Sequence, residues 1–201
     1  MKNVANVVSN LWLVIPSGAR TQYLQDIFEQ SGIPAEQRIV VRTIPDEDVP
    51  NAINLHYDGE FNIHKWWNMG IDYARLNGAD YVAVLNDDVE LANNPLQTIV
   101  TVMEHTKVSL GYPFPFIGFV CGYCWILDVR SPIKPDEEYK WWYGDRDLDL
   151  QARANGGVVH VPAMVRHIHG NELTRDNQLL LELTKQDEEL FFTKWNLERQ
   201  Q

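Results

Sequence analysis

Short apolar runs alternate with amphipathic segments along the first half of the chain. Three runs, at residues 11–16, 38–43 and 80–85, are rich in apolar side chains, and the third is almost continuous. Such runs are typical of strands that are covered on both faces of a parallel sheet. The segments between them, 20–32 and 61–78, carry apolar residues at helical spacing and predict two helices.

Capping residues support these predicted helices. Asn62 is a suitable N-cap for the second helix, and Gly78 a suitable C-terminal stop. Gly32 and Pro34 end the first helix, and the polar segment 44–52 that follows the second strand predicts a loop.

The second half of the chain predicts fewer helices and more strands. We expect a helix from Pro95 through His105, a short helix that Gly156 and Gly157 close, and a last helix from Thr174 to Trp195. Strands are expected in the segments that the following ranges span: 108–113, 118–127 and 158–170. This order predicts an α/β protein, a three-layer α/β/α sandwich with a mostly parallel central sheet.

Length and charge narrow the possible partners. The 201 residues suffice for one compact domain. The formal charge of −11 disfavours duplex nucleic acid, because an acidic surface repels phosphates. No apolar run approaches the ~20 residues of a membrane span, and the N-terminus lacks a signal-peptide pattern. We therefore expect a cytoplasmic protein without a membrane span.

Both cysteines lie in one CxxC motif, at Cys121 and Cys124. Such a pair can be a redox centre or half of a zinc site, but a zinc site would need two further ligands and the chain has no second CxxC. The pair also lies in an apolar run, where free cysteines are common core residues. We interpret the two cysteines as core residues.

The third predicted strand ends in three oxygen-bearing residues, Asn86, Asp87 and Asp88. In an extended segment Asn86 and Asp88 share a face, whereas Asp87 points away. One carboxylate and a nearby amide form a reasonable half-site for a hard divalent cation that arrives with a diphosphate. The alternative is a turn rich in Asn and Asp that leads into the next segment.

A second acidic cluster comprises Asp145, Asp147 and Asp149 at the start of a predicted helix. Acids in a first helical turn complement the helix dipole, and Asp149 can pair with Arg153 four residues later. Asp147 has no cation at that spacing, and a carboxylate near a helix N-terminus stays ionised, as a general base must. Asp147 is therefore the acid of this cluster for which a purely structural role is least evident.

The third cluster is the pair His167 and His169. On a strand the two imidazoles would share a face that suits a metal or a phosphate, although single histidines are more often structural. The other histidines show no such constellation and are interpreted as structural: His56, His64, His105 and His160.

Taken in order, these segments resemble family 2 glycosyltransferases of the GT-A fold, in particular the rhamnosyltransferase-like subgroup. The resemblance spans most of the chain and is carried by six segments: LWLVIPSGAR, NIHKWWNMGIDYARLNGADYVAVLNDDVEL, GFVCGYCWILDVR, YGDRDLDLQARANGG, VRHIHG and DEELFFTKWN. It implies one GT-A domain over 1–201, with a nucleotide-binding half at 1–90, an acceptor and catalytic half at 91–170 and a C-terminal helix at 171–201.

The resemblance also implies roles for single residues. Asp88 would bind Mn²⁺ or Mg²⁺, with His167 or His169 as a further contact. Asp147 matches the catalytic base, and Asp145 is the fallback because Arg146 stands where the family usually has a glutamate. The residues expected near the donor are Pro16, Ser17, Arg20, Arg42, Asn62, Lys65, Asn68, Asn86, Asp87 and Gly122. The family's base-reading aspartate after the second strand is replaced by Arg42 and Thr43, so the nucleotide stays open.

The function that the resemblance implies is a metal-dependent inverting transfer from a UDP-, GDP- or dTDP-sugar to a glycan, protein or small-molecule acceptor. Tryptophans such as Trp66, Trp67, Trp141 and Trp142 are candidate stacking surfaces for sugar, or core residues. One alternative is a sugar-nucleotide nucleotidyltransferase, which usually carries a Gly-rich loop after the first strand, where this chain has a single glycine. Others are a non-catalytic carbohydrate-binding module and a DNA-base glucosyltransferase, which the charge disfavours.

Overall fold

The computed structural model describes residues 9–18, 20–44, 48–113, 120–170 and 172–198, without the side chains of 172 and 173. Its strands are β1 (Leu11–Ser17), β2 (Arg38–Arg42), β3 (Ile53–His56), β4 (Tyr81–Leu85), β5 (Val89–Ala92), β6 (Leu110–Pro113), β7 (Cys124–Asp128), β8 (Val158–Val161) and β9 (Met164–His167). Its α-helices are α1 (Leu24–Ser31), α2 (Ile63–Leu76), α3 (Pro95–Thr106), α4 (Gly144–Ala154), α5 (Glu172–Arg175) and α6 (Gln178–Lys194). Short 3₁₀ turns precede α1 and β2, at Thr21–Tyr23 and Ala35–Gln37.

Seven strands form the central sheet, in the spatial order β3-β2-β1-β4-β7-β6-β8. β7 runs antiparallel to both of its neighbours, and the other six strands are parallel to one another. β5 and β9 form a separate antiparallel pair next to the end of β4. The predicted α/β architecture with a mostly parallel sheet is confirmed.

Each face of the sheet buries its own apolar core, because alternate residues of a strand point to opposite faces. Leu13 and Ile15 of β1 belong to the core under α1 and α3. Val14, between them, belongs to the core under α2 and α4. α2 lies so close to β1 that a Cβ on Gly70 would be 2.4 Å from a methyl carbon of Val14.

The predicted limits of α2 are confirmed. Oδ1 of Asn62 accepts hydrogen bonds from the backbone N–H groups of His64 and Lys65, both at 3.0 Å. The chain leaves the helix through Gly78, which has a φ of +86°. Glycine adopts this left-handed conformation without the strain that a side chain would bring.

Three sequence predictions about secondary structure need correction. The strand expected at 118–127 is β7 alone, since 120–121 are irregular, 122–123 form a turn, and 118–119 lie outside the described residues. β3, which follows the predicted loop, was not predicted, and neither was β5, which begins directly after a turn at Asp87 and Asp88. The last helix is two helices, because Asn177 caps α6 by accepting N–H groups of Leu179 and Leu180.

None of the helices in the described part of the chain is both long and apolar enough to span a membrane.

Candidate active site

A cavity of about 820 Å³ opens at the carboxyl ends of β1 and β4. Its walls come from distant parts of the chain: the turn after β1, the segment after β4, the first turn of α2, the turn before β7, the start of α4, the end of β9 and the α5–α6 region. This edge of an open α/β sheet is where ligands bind, because the strand order changes direction there. The volume is that of a small-molecule site.

The residues that follow β4 alternate as predicted. Asn86 and Asp88 both turn toward His167, with Nδ2 of Asn86 at 3.2 Å and Oδ1 of Asp88 at 3.0 Å from its Nε2. Asp87 points the other way, and its carboxylate accepts a hydrogen bond from Oγ of Ser17 at 3.0 Å. Burial raises the pKa of Asp87 to about 6, against the lowering effect of Ser17.

Arg20 and His167 both contact the carboxylate of Asp88, which is almost fully buried. Nη1 of Arg20 lies 2.8 Å from Oδ2, and Nε2 of His167 lies 3.0 Å from Oδ1. Burial by itself would raise the pKa of Asp88, but the hydrogen bond from His167 and the charges of His167 and Arg20 lower it below its usual range. Asp88 is therefore an anion held between two protein groups.

The position of His167 results from pairing and stacking. It ends β9, opposite Val89 of β5, and the backbone N–H of Ile168 donates to the carbonyl of Asp88 at 2.9 Å. The ring of Tyr123 stacks on the imidazole at a centroid distance of 4.9 Å. Tyr123 was not singled out from the sequence, because it lies inside the strand predicted at 118–127.

His169 does not share the site of His167. β9 ends at His167, so the alternation that would bring both imidazoles to one face stops there. His169 does not line the cavity, and its Nε2 lies 3.1 Å from the hydroxyl of Tyr23. The expectation that either histidine could contact a metal is therefore reduced to His167.

The spacing between Asp88 and His167 suits a shared divalent cation. Two ligands that bind one cation at right angles, each at ~2.1 Å, lie ~3 Å apart, and the observed separation is 3.0 Å. Among the residues that the structure describes, no group of three His, Cys, Asp or Glu side chains could hold a metal. The pair fits a cation that takes its other ligands from a bound molecule.

Asp145 is the acid of α4 that faces the cavity. Its carboxylate accepts the backbone N–H of Gly122 at 2.9 Å and that of Arg146 at 2.8 Å. Burial raises the pKa of Asp145, against the lowering effect of these two hydrogen bonds. The result is a carboxylate that is fixed in orientation, adjoins the cavity and is more basic than an ordinary aspartate.

The expectation that Asp147 is the catalytic base does not agree with its surroundings. The residue is 0% exposed and does not line the cavity. Oδ1 of Asp147 is 2.8 Å from Nζ of Lys194 and accepts the indole N–H of Trp195 at 2.8 Å. Gln151 and Tyr139 donate the remaining hydrogen bonds. Asp147 is shielded from solvent and bonded to Lys194 and Trp195, so it joins α4 to the end of α6.

Several of the expected donor-binding residues do line the cavity: Pro16, Ser17, Arg20, Asn86, Asp87 and Gly122. Arg42 does not, since it is buried under the turn after β1 and its Nη1 donates to the carbonyl of Gly18. The neighbouring Thr43 lines the cavity in its place.

Three further donor-binding predictions, all on or next to the first turns of α2, also lie away from the cavity. Asn62 caps the helix and donates to the carbonyl of Glu137. Asn68 is buried and donates to the carbonyl of Pro135 and the carboxylate of Glu137. Lys65 pairs with Glu60 at 2.7 Å. The two asparagines hold the loop 135–140 against α2, so their role is structural.

Aromatic side chains line the cavity beyond Asp145. Phe61 is 39% exposed and contacts the rings of Trp66 and Trp141 at centroid distances of 5.0 and 5.4 Å. The indole N–H groups of Trp141 and Trp142 both donate to the hydroxyl of Thr174. With their polar edges already bonded, these rings offer carbon surface to a ligand. Trp67 is buried in the core next to the cavity.

One buried acid holds this aromatic segment in place. From the sequence it was noted only as part of the C-terminal segment DEELFFTKWN. Asp187 of α6 accepts the backbone N–H groups of Lys140, Trp141 and Trp142 at 2.7–2.9 Å. α6 is therefore a fixed wall of the cavity, because it anchors the two tryptophans.

His64, which the sequence led us to interpret as structural, is fully buried and also lines the cavity. Its Nδ1 lies 2.9 Å from the carbonyl of Tyr139, and its Nε2 has no hydrogen-bond partner in the described part of the chain. Burial lowers the pKa of His64 to about 4. A Cβ on Gly144 would lie 1.9 Å from Nε2, which explains why α4 starts with glycine.

The two cysteines are free thiols. Cys124 is buried in β7 as the sequence suggests, whereas Cys121 is half-buried and lines the cavity. Burial raises the pKa of Cys121 to about 12, so its sulfur stays protonated and is a poor nucleophile at neutral pH.

Comparison with known proteins gives matches in structure but not in sequence. No protein-family model and no curated protein matches this sequence. The structure superposes on S. aureus TarS with a TM-score of 0.61 at 10% identity, over 81% of this chain and 37% of TarS. For TarS 1–349 in complex with UDP the TM-score is 0.59 at 10% identity, over 76% of this chain and 58% of that one.

A third match covers nearly the whole of both chains. A protein from Desulfovibrio desulfuricans G20, assigned to the nucleotide-diphospho-sugar transferases, has a TM-score of 0.53 at 11% identity over 91% of this chain and 98% of its own. This chain spans 37% of the length of the TarS chain in the first match. At identities this low, the likeness shows the architecture alone. It agrees with the observed sheet, and the chain has the nucleotide-diphospho-sugar transferase fold, GT-A.

Proposed function

We propose that the chain is a glycosyltransferase that moves a sugar from a nucleoside-diphosphate sugar to an acceptor hydroxyl, with inversion at the anomeric carbon. The observation that carries the proposal is that Asp88 and Asp145, from distant parts of the chain, line one cavity at the ligand-binding edge of a GT-A sheet. The likeness to TarS in complex with UDP supports a nucleoside diphosphate as the ligand of this edge.

The donor end of the cavity is the end that holds Asp88. Asp88 and His167 would hold Mn²⁺ or Mg²⁺ together with the oxygens of the diphosphate. Bound there, the cation would supply positive charge where the leaving diphosphate gains negative charge. The hydrogen bond from Ser17 keeps the carboxylate of Asp87 turned away from this point, so this carboxylate does not compete with the diphosphate for the cation.

Asp145 replaces Asp147 as our candidate for the general base. In the proposed step the acceptor hydroxyl gives its proton to the carboxylate of Asp145, and its oxygen forms a bond to the anomeric carbon. The bond from that carbon to the diphosphate oxygen breaks, and the electron pair leaves with the diphosphate. The N–H groups of Gly122 and Arg146 hold the carboxylate in one orientation, and its raised pKa favours proton uptake.

The acceptor end would be the aromatic part of the cavity, beyond Asp145. Phe61, Trp66 and Trp141 offer flat apolar surface there, and Asn177 and Thr174 add polar groups. This combination supports an acceptor with a flat face, such as a sugar ring. A glycan, a glycosylated protein and a small aromatic molecule all meet this description.

The proposal is tested by incubating the chain with UDP-, GDP- and dTDP-linked sugars and Mn²⁺, and by analysing the products by mass spectrometry. We expect slow release of a nucleoside diphosphate from one of the three series, loss of the release with a chelator and recovery with Mn²⁺. Thermal stabilisation should follow the same nucleotide preference, since a ligand that binds the folded state raises its stability. Asp88→Asn should abolish both effects, and the exposed Asp72→Asn on α2 should abolish neither.

Two results would contradict the proposal. A carbohydrate-binding module would release no nucleotide under any condition. A nucleotidyltransferase would instead make a nucleoside triphosphate and a sugar phosphate when pyrophosphate is added.

A further inference from the structure

Arg20 contacts the carboxylate that the proposed cation would use. It belongs to the turn after β1, yet its Nη1 lies 2.8 Å from Oδ2 of Asp88, which is 68 residues away in the sequence. The Asp88 side chain is only 3% exposed, so few other groups can approach it. Arg20 and His167 together engage both oxygens of Asp88.

This arrangement puts a fixed positive charge at a cation site. A divalent ion that binds Asp88 has to share the carboxylate with the guanidinium or displace it, and like charges at such short range repel strongly in a partly buried site. The competition is specific to this end of the cavity. Arg146, which also lines the cavity, lies over the ring of Tyr143 at 5.0 Å, near Asp145.

A diphosphate removes the conflict, because it offers anionic oxygens to both cations. A guanidinium forms two parallel hydrogen bonds to a phosphate as readily as to a carboxylate. The same diphosphate supplies the oxygens that the pair Asp88 and His167 lacks as a cation site.

We infer that Arg20 couples the two ligands: it opposes divalent-cation binding at Asp88 until a nucleoside diphosphate draws its guanidinium onto the phosphates. The inference rests on the proposed function, since it assumes that the diphosphate and the cation meet at Asp88. Coupling of this kind is reciprocal, so the diphosphate tightens cation binding by the factor by which the cation tightens diphosphate binding. Arg20 is a positioning residue in this scheme.

The test measures Mn²⁺ binding, by electron paramagnetic resonance of the free ion, with and without UDP, GDP or dTDP. Arg20→Gln keeps most of the side-chain length and removes the charge. Without nucleotide it should bind Mn²⁺ about tenfold more tightly than the parent chain, and the tightening by nucleotide should shrink by the same factor. Arg20→Lys keeps the charge and should stay close to the parent.

Arg153→Gln is the matched control. Arg153 also pairs with a nearly buried carboxylate, that of Asp149 at 2.6 Å, but neither residue lines the cavity. Its Mn²⁺ affinity should equal that of the parent chain, which would show that freeing any buried aspartate is not enough. Circular dichroism of each variant verifies that it is folded.

The outcomes separate the inference from the proposed function. In one outcome, nucleotide tightens Mn²⁺ binding in the parent, and Asp88→Asn abolishes this tightening. Arg20→Gln, however, binds Mn²⁺ in the absence of nucleotide no more tightly than the parent does. The role of Arg20 is then wrong and the proposed function stands. If none of the three nucleotides promotes Mn²⁺ binding in the parent, the metal-dependent function and the inference both fail.

Discussion

The indole Nε1 of Trp195 donates a hydrogen bond to Oδ1 of Asp147 at 2.8 Å, so the residue after α6 is tied to the acid that the sequence motif marks as a base. Asp145, two residues earlier on the same helix, faces the cavity instead. Residues two apart on a helix do not share a face, so only one of these acids can reach a substrate. We therefore expect replacement of Asp147 to reduce stability and replacement of Asp145 to reduce the reaction rate.

Replacement of Asp147 should reduce stability. Asp147→Asn removes a buried negative charge that pairs with Lys194 and accepts hydrogen bonds from Trp195, Gln151 and Tyr139. We expect a loss of about 2–4 kcal/mol in the free energy of unfolding, measured by urea denaturation. Below the transition, nucleotide affinity should stay near that of the parent. Unchanged stability would contradict the structural role.

Replacement of Asp145 should reduce the rate and leave donor binding intact. Asp145→Asn removes the proposed proton acceptor, and general-base catalysis is worth about 10²–10⁴ in rate. In the parent, kcat/KM should fall with decreasing pH and do so above the ordinary aspartate pKa of about 4, because burial raises the pKa of Asp145 and only its ionised form accepts a proton. Transfer assays and calorimetry with nucleotide would measure both quantities. Transfer by Asp145→Asn at the parental rate would exclude Asp145 as the base.

Acidification should destabilise the fold through His64. Burial lowers its pKa to about 4 in the folded state, whereas an unfolded chain has a histidine pKa of about 6.5. The unfolded state therefore binds more protons, and the stabilisation by neutral His64 is complete above pH 6.5 and falls as the pH drops toward 4. We expect a loss of about 2 kcal/mol between pH 7 and pH 5 from this residue.

The measurement compares urea denaturation of the parent with that of His64→Gln at both pH values. The glutamine variant starts less stable but should lose less stability on acidification, because it has no imidazole to protonate. Equal losses in the two proteins would contradict the lowered pKa.

Phe61 should contribute to acceptor binding. Its ring is 39% exposed at the aromatic end of the cavity, so Phe61→Ala should cost little stability. An aromatic contact is worth about 0.5–1.5 kcal/mol, which predicts an acceptor KM raised about 2–10-fold with donor affinity unchanged. Leu76→Ala, at an 86% exposed position at the far end of α2, is the control. If Phe61→Ala changed donor affinity alone, the assignment of the aromatic end of the cavity to the acceptor would be wrong.

Much of the fold was predictable because it depends on patterns within a few residues. Apolar-rich runs identified β1, β2 and β4, since a strand that is buried on both faces is mostly apolar. Asn62 was predictable as the cap of α2 for an equally local reason, because the cap bonds its own first turn. The sides taken after β4 were also predicted: Asn86 and Asp88 lie on one side and Asp87 on the other, although 87 and 88 form a turn and not an extended segment. β3 and β5 were missed because their alternation, in INLH and VELA, is short and follows polar segments that predict a loop or a turn.

The order of the apolar runs and the local face of each polar residue are thus properties that the sequence alone determined. Tertiary structure decided which acid of α4 meets solvent, which histidine stays beside Asp88, and that Arg20 lies on Asp88. Each of these outcomes depends on contacts between segments tens of residues apart, such as Lys194 and Trp195 with Asp147. A pattern along the chain reports the direction of a side chain relative to its own element, whereas burial, charge pairing and access depend on which other element packs there.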